Sequence, residues 1–163
     1  MKLPSHEFLD HQGIPYEPVT FPTSIEKGAA SVARALGQPE RRMVKTILFQ
    51  TGSGSCVAVL LGGDQNAISG HLKKAVGSRD VRMAAPEIVL ATTGYEIGSI
   101  PPFHWQPPGF ATYVEASLLD EPVLGVGAGM WGHEILIQPT HLVQAARARI
   151  VNLTDRARPV VEE

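Results

Sequence analysis

The chain has 163 residues, of which 44% are apolar, and a formal net charge of −2 at pH 7. A chain of this length can bury a sizeable core as one domain, and its apolar fraction excludes wholesale disorder. The single cysteine, Cys56, excludes an internal disulfide and fits a reducing compartment. No run of about 18 apolar residues occurs, and the N-terminal residues lack the apolar stretch of a signal peptide. We therefore expect a cytoplasmic protein without a membrane partner.

Charged residues are distributed unevenly along the chain. Residues 27–82 include nine Lys or Arg and three acidic residues, a balance of +6. Residues 83–146 include six acidic residues and no Lys or Arg. A basic half and an acidic half would steer a polyanion to one side of the molecule, although halves of a sequence need not be halves in space.

The first half of the chain predicts a helix followed by a hairpin. Thr23–Glu26 has the pattern of a capping box, and apolar residues then recur at helical spacing until Gly37. Apolar runs at 43–50 and 56–61 predict two buried strands, joined by a Gly/Ser-rich turn at 51–55.

The second half predicts shorter elements around one irregular stretch. Residues 93–109 contain too many turn-forming Gly and Pro residues to be regular. The remaining elements, in chain order, are a helix at 67–76, a strand at 81–84, a helix at 86–92, strands at 111–115, 123–126 and 134–138, a helix at 139–148 and a frayed tail at 150–163. Strands and helices mix without regular βαβ alternation, which predicts an α+β fold with a curved, mixed sheet surrounded by helices.

Familiar catalytic patterns do not occur in this sequence. There is no Gly-x-Ser-x-Gly elbow and no phosphate-binding loop. Cys56 lies within an apolar strand pattern, where an inert core thiol is favoured over a nucleophile. The histidines show no metal-ligand spacing, so neither a metal nor a cofactor is expected. They are His6, His11, His71, His104, His133 and His141.

Two features suggest a functional site. Lys45 interrupts an apolar strand, where its ammonium must reach water or an anion to avoid a cost in solvation energy. The alternative is a lysine on a strand edge or an outward face. Residues 94–103 combine glycines, which admit close approach of a ligand, with prolines that stiffen the loop. The alternative is a purely structural turn.

The order of the motifs resembles the YbaK/ProX-like family of aminoacyl-tRNA editing domains. A Val44-Lys45-Thr46 strand is followed by the loop Gly94-Tyr95-x-x-Gly98-x-x-Pro101-Pro102-Phe103. The segment Glu115-Ala116-Ser117-Leu118-Leu119 comes next, and Gly127–Ile135 precedes a helix that begins with proline. The resemblance covers roughly residues 14–148 of one domain spanning 1–163.

The resemblance implies a fold and a reaction. The fold is a single domain around a twisted, partly barrelled mixed sheet. The reaction is hydrolysis of the ester that links an amino acid to the terminal adenosine of tRNA. Lys45 would hold the tRNA 3′ end as a compact positive charge, and the backbone of Gly98 would lie against the substrate. A ribose hydroxyl and bound water would replace a protein nucleophile, with backbone groups supporting the developing charge.

The resemblance also implies substrate-binding positions. Glu134 corresponds to an acidic position near the family's pocket, where it would bind the substrate amine, orient Lys45 or serve only as a polar strand residue. The chain also departs from the family pattern. Ser99 replaces a second glycine found in the loop of many relatives, and His104 occupies the position after the loop motif where relatives often have glycine. Gly127 replaces a serine of the YbaK branch, and Met130-Trp131 replaces a basic pair. The substrate-binding residues predicted are Tyr16, Thr20, Thr23, Ser99, Pro101, Gly127 and Glu134.

The predicted function is deacylation of mischarged tRNA in trans. A synthetase pocket discriminates by only about 1–3 kcal/mol per methylene, and alanine and cysteine approach proline in size. Proline tRNA carrying a small amino acid is therefore the expected substrate, and an aminoacyl-tRNA synthetase is a further candidate partner. One alternative is an inactive tRNA- or protein-binding module. Another is a hydrolase or binder of small acyl or nucleotide compounds.

Overall fold

Helices and strands alternate irregularly along residues 1–154, the part of the chain that the computed structural model describes. The helices are α1 (Pro4–Gln12), α2 (Ala29–Leu36), α3 (Ser69–Val76), α4 (Pro86–Thr93) and α5 (Pro139–Ala146), with short 3-10 helices at Glu40–Arg42 and Ala116–Asp120. The strands are β1 (Glu17–Thr20), β2 (Lys45–Thr51), β3 (Cys56–Leu61), β4 (Val81–Met83), β5 (Thr112–Glu115), β6 (Leu124–Gly127), β7 (His133–Ile137) and β8 (Arg149–Val151). The elements predicted between residues 43 and 148 are confirmed.

The strands form two sheets that meet at one point. The larger sheet has the order β4-β2-β3-β5-β8, and the smaller has the order β1-β7-β6. A parallel bridge joins Met43 to Gly125, and the Val44 N–H donates to the Gly125 carbonyl at 2.7 Å. A Cβ on Gly125 would lie 2.6 Å from the Met43 methyl carbon, so glycine permits this approach. The α+β class is confirmed, but the sheets are not closed into the partial barrel that was expected.

The largest buried cluster joins both sheets to the helices. It includes Leu9 from α1, Leu60 from β3, Ile135 from β7 and Leu142 from α5, all 0% exposed. Phe103 is also fully buried in this cluster, and it anchors the end of the irregular loop. The loop between α4 and β5 is therefore held by the core at its C-terminal end.

The start of α2 differs from the prediction. The helix begins at Ala29 after Gly28, whose φ of 122° is not helical. Thr23 lies in a turn instead of capping a helix, and its carbonyl accepts a hydrogen bond from the Trp131 indole at 2.9 Å. The capping-box prediction is wrong because the Gly28 backbone and a long-range contact override the local pattern.

Both ends of the described chain carry structure that the sequence did not predict. Helix α1 and strand β1 were missed, because α1 has a weak apolar pattern and β1 contains Pro18, which is tolerated on an edge strand. The frayed tail is wrong for its first residues, since β8 pairs with β5 and Leu153 is fully buried. The rest of that tail, residues 155–163, lies outside the described residues. Within residues 1–154, no helix is long and apolar enough to cross a membrane.

Candidate functional site

Lys45 lies where the two sheets part, two residues beyond the bridge at Met43. Its ammonium donates a hydrogen bond to the Gln65 carbonyl at 2.7 Å. Burial lowers the pKa of the Lys45 ammonium, while the charges of Glu40 and Asp64 act in the opposite direction. The lysine is therefore partly desolvated and held by a neutral acceptor, so an incoming anion can compete for it.

The irregular loop approaches the smaller sheet at Gly127. A Cβ at this glycine would lie 3.0 Å from the Ser99 carbonyl oxygen and 3.1 Å from that of Ile100. A side chain here would require the loop backbone to shift by a few tenths of an ångström, so glycine suits this close approach. Gly98, one residue earlier in the loop, has a φ of 104° that favours glycine, and its Cβ direction is open.

Glu134 is the cross-strand neighbour of Gly127 in the antiparallel pair of β6 and β7. Directly opposite residues share a face of the sheet, so Glu134 is on the face that the Ser99 carbonyl approaches. Lys45 and Gly127 each lie two residues beyond the bridged pair, but on strands that belong to different sheets. The register therefore brings the Glu134 carboxyl group and the loop backbone together at Gly127, and the bridge places Lys45 at the adjoining end of the larger sheet.

The Glu134 residue is 8% exposed, and its carboxyl group has no hydrogen-bond partner among residues 1–154. Burial raises its pKa from the ordinary 4.5 to about 8. A buried carboxyl without a partner is held in its neutral form near pH 7, because ionisation would leave an uncompensated charge. Such a group gains most from a ligand that brings a positive charge.

A pH dependence of stability follows from this raised pKa. The folded protein retains the Glu134 proton that the unfolded chain releases, so the free energy of unfolding should fall as the pH rises from about 4.5 to about 8. Below about pH 4.5 the stabilisation that comes from the neutral Glu134 carboxyl group is fully present. Urea unfolding of wild type and Glu134→Gln between pH 4.5 and 9 measures it, and the variant should lack this part of the decline. Parallel pH profiles for the two proteins would contradict the assignment.

Tyr95 and His104 fasten the irregular loop to itself. The Tyr95 hydroxyl and His104 Nε2 are 2.6 Å apart, and the two rings meet edge to face. His104 has a φ of 79°, a conformation that usually requires glycine. Burial lowers the pKa of His104 and raises that of Tyr95, so both side chains are neutral near pH 7. Sequence reasoning noted His104 only as a departure and missed this pairing.

The other predicted substrate-binding residues are spread around this region. Thr20 pairs with His133 in the ladder of β1 and β7, and the Thr23 methyl carbon lies 2.8 Å from a Cβ placed on Gly132. Both threonines therefore border the segment that carries Glu134. Pro101 is buried, and its carbonyl accepts a hydrogen bond from the Trp105 indole at 2.6 Å.

Tyr16 is directed toward α1. Its hydroxyl donates to the Asp10 carboxylate at 2.9 Å, and its ring stacks on His6 with a centroid separation of 5.7 Å. The structure thus places Glu134 on the face that the Ser99 backbone approaches, Lys45 beyond the bridge between the two sheets, and Tyr16 against α1.

Two surface cavities are lined by neither Lys45 nor Glu134. The larger, of about 420 Å³, is lined by Lys73, Lys74, Gly77, Ser78 and Arg79. The smaller, of about 220 Å³, lies between the 104–110 segment and the ends of α1 and α5. Size alone would favour the larger cavity, but it gathers only cations and no group that could handle a proton at neutral pH. We therefore place the candidate site at the junction of the two sheets, with Lys45 on β2 and Glu134 on β7.

The side chains that could support metal or thiol chemistry are not clustered in the part of the chain that the structure describes. No group of three or more His, Cys, Asp or Glu side chains within residues 1–154 is placed to hold a metal ion. The Cys56 thiol is half-buried, 3.9 Å from the Thr92 hydroxyl. The candidate site therefore consists of a lysine, a carboxyl group and backbone groups, which suit the binding of a charged ester and the placement of water.

Comparison with known proteins gives this geometry a context. The family model described as aminoacyl-tRNA editing domain matches residues 25–145. A protein of Enterococcus faecalis, named as a candidate Cys-tRNA(Pro)/Cys-tRNA(Cys) deacylase EbsC, is 26% identical over 149 residues, 91% of this chain and 90% of that protein. A solved structure described as a candidate trans-editing enzyme for prolyl tRNA synthetase has a TM-score of 0.82 at 25% identity, covering 95% of this chain and 99% of that chain.

Multidomain relatives match over a shorter region. The proline–tRNA ligase of Thermotoga maritima is 35% identical over 81 residues, which are 50% of this chain and 14% of the ligase. The chain thus corresponds to one part of such ligases and to nearly the full length of the smaller relatives. The fold and the family resemblance predicted from the sequence are confirmed by these matches.

Proposed function

Because this chain belongs to the family of aminoacyl-tRNA editing domains, we propose that it removes a small amino acid from mischarged proline tRNA and acts in trans. It is an aminoacyl-tRNA deacylase, a hydrolase of the ester between an amino acid and tRNA. The observation that carries the finer proposal is coverage, since the match to the candidate Cys-tRNA(Pro) deacylase spans 91% of this chain and 90% of that protein. That relative is named as a candidate deacylase of Cys-tRNA(Pro), and the similar solved structure is described as a candidate trans-editing enzyme, which supports both the substrate and the action in trans that we propose.

In the proposed reaction, Lys45 exchanges the Gln65 carbonyl for a phosphate or ribose oxygen at the tRNA 3′ end. The partial burial of this ammonium strengthens its attraction to an anion relative to a lysine in water. The Ser99 and Ile100 carbonyls stand close over Gly127, so the loop backbone would form one wall of the proposed site. A free ribose hydroxyl and a water molecule on the loop backbone would then complete hydrolysis without a protein nucleophile.

We assign Glu134 to the α-ammonium group of the aminoacyl ester. Its buried, unpartnered carboxyl group would ionise when that cation arrives, because the pair replaces an isolated charge. The Lys45 ammonium donates to Gln65 instead, which favours this role for Glu134 over the orientation of Lys45. The proposed partners are the 3′ end of aminoacyl-tRNA and an aminoacyl-tRNA synthetase, and the proposed compartment is the cytoplasm, where tRNA is charged.

The test is release of labelled amino acid from proline tRNA charged with alanine, cysteine or proline. We expect release of alanine or cysteine at rates well above that of proline, with a KM that rises steeply with salt because phosphate contacts release counterions. Tight binding of uncharged tRNA with no release from any of the three would support the inactive binding module. Release that is insensitive to salt, and equal for a short aminoacyl ester without tRNA, would support the small-compound hydrolase.

A further inference from the structure

The carbonyl that holds Lys45 belongs to a buried and tightly fixed glutamine. Gln65 is 4% exposed, and its side-chain oxygen accepts a hydrogen bond from the Gly62 N–H at 2.7 Å. Its side-chain amide nitrogen donates to the Ser117 hydroxyl at 3.0 Å. Both ends of the side chain are thus used to fix the turn that presents the backbone carbonyl to Lys45.

The same turn is packed against the segment that precedes β2. A Cβ on Gly62 would lie 2.5 Å from the Arg41 carbonyl oxygen, and a Cβ on Gly63 would lie 2.6 Å from that of Glu40. The two glycines therefore let the backbone that follows β3 come close to the backbone leading into Lys45. This close packing leaves the Gln65 carbonyl little freedom to move.

Ser117 links Gln65 to a carboxylate with no solvent exposure. The Ser117 hydroxyl donates to Glu115 at 2.6 Å, and the Ser117 N–H donates to the same carboxylate at 3.0 Å. The N–H groups of Leu153 and Thr154 add hydrogen bonds at 2.7 and 3.1 Å, and the Thr154 hydroxyl adds one at 3.2 Å. A buried carboxylate with five donors is a rigid anchor, because any movement breaks several charge-assisted hydrogen bonds.

We propose that Gln65 is a positioning residue for Lys45, kept in place by the hydrogen-bonded chain through Ser117 and Glu115. Lys45 is hydrogen-bonded to the Gln65 backbone, and the Gln65 side chain is hydrogen-bonded to Ser117, so Gln65 itself joins the Lys45 ammonium to a carboxylate on the far side of β3. A displacement of about 1 Å in a catalytic group can cost a hundredfold in rate, which makes such fixing valuable. The inference rests on the proposed function for the role of Lys45 in catalysis, but the positioning can be measured without it.

The experiment compares Ser117→Ala with Ser117→Thr, which retains the hydroxyl, and with Gln65→Leu. The first readout is the 1H–15N signal of the Lys45 ammonium, assigned by its loss in Lys45→Ala. Hydrogen bonding slows proton exchange with water, so the signal should be sharp in wild type and Ser117→Thr. It should broaden or vanish in Ser117→Ala and Gln65→Leu.

The second readout is kcat/KM for deacylation, which should fall about tenfold or more in Ser117→Ala and stay near wild type in Ser117→Thr. Val89→Ala, a truncation of a 2% exposed side chain on α4, controls for loss of stability alone. If the Gln65→Leu variant does not fold, the comparison of Ser117→Ala with Ser117→Thr still tests the proposal. An unchanged Lys45 signal together with unchanged kcat/KM in Ser117→Ala would overturn the inference.

Failure of the positioning proposal can be distinguished from failure of the proposed function. A Lys45 signal that depends on Ser117, in a protein whose deacylation is unaffected by Lys45→Ala, would uphold the positioning of Lys45 and reject the proposed catalytic role. Adding Ser117→Ala to the Lys45→Ala variant should lower kcat/KM no further, because the effects of two residues that act through one another are not additive. An additive loss would show a general structural effect and overturn the inference.

Discussion

Replacement of Lys45 by alanine should lower kcat/KM for deacylation of mischarged proline tRNA by about a hundredfold or more, the usual cost of removing one preorganised charge from a site. The ammonium is partly desolvated and bound to a neutral carbonyl, so it is poised to exchange that acceptor for an anionic oxygen. The measurement is release of labelled amino acid under single-turnover conditions. Circular dichroism and thermal unfolding should show that the variant remains folded.

Two further variants make this result specific. Lys2→Ala removes an equivalent charge from a side chain that is 60% exposed, and it should leave deacylation unchanged. Lys45→Arg retains the charge but not the compact ammonium, and it should restore only part of the activity because a guanidinium needs a different geometry. Full activity in Lys45→Ala would reject the proposed site and direct attention to the basic cavity at Lys73 and Lys74.

Replacement of Glu115 by alanine should lower the free energy of unfolding by about 3–5 kcal/mol, the range observed when one partner of a buried charged network is removed. The side chain is fully buried and accepts five hydrogen bonds, three of them from Leu153 and Thr154. Alanine would leave these donors buried without an acceptor, and each unsatisfied group carries its own desolvation cost. Urea unfolding followed by tryptophan fluorescence and circular dichroism measures the change.

The matched control is Glu87→Ala, an exposed glutamate in the first turn of α4, which should cost well under 1 kcal/mol. Glu115→Gln should fall between the two, since its amide oxygen can accept some of these bonds while its NH₂ group faces other donors. If Glu115→Ala and Glu87→Ala unfold at the same urea concentration, solvent or a rearranged backbone must accept the hydrogen bonds that the Glu115 carboxylate accepts in wild type.

Local patterns predicted the middle of the chain well because its elements are bounded by local signals. The 51–55 turn separates β2 from β3, Gly77 ends α3 and Pro139 begins α5, each through the conformational preference of one or a few residues. Strand β8 has no such signal. It forms because β5 offers a parallel edge and because Leu153 finds a buried position, and neither reason is visible in the sequence around residue 150.

The candidate site was predictable only in part. Lys45 is conspicuous as a cation within an apolar strand, and the Gly/Pro-rich loop is conspicuous by composition. Glu134 was singled out through family resemblance alone, and its lack of a partner depends on a fold that buries it. Gln65 carries no local signal, since its role arises from partners 20 and 52 positions away. Long-range hydrogen bonds of this kind become visible only in three dimensions.

The contacts of Leu153 and Thr154 have a consequence for biosynthesis. Until these residues have left the ribosome, Glu115 lacks three of its five donors, and β5 lacks β8, the second of its two parallel neighbours. Translation proceeds at about 5–20 residues per second. After β2, β3 and β5 have emerged from the ribosome, the outer edge of β5 therefore remains unpaired for seconds. We therefore expect the nascent protein to acquire its final form only after residue 154 emerges, and during that interval to be a natural client for chaperones that shield unpaired strands.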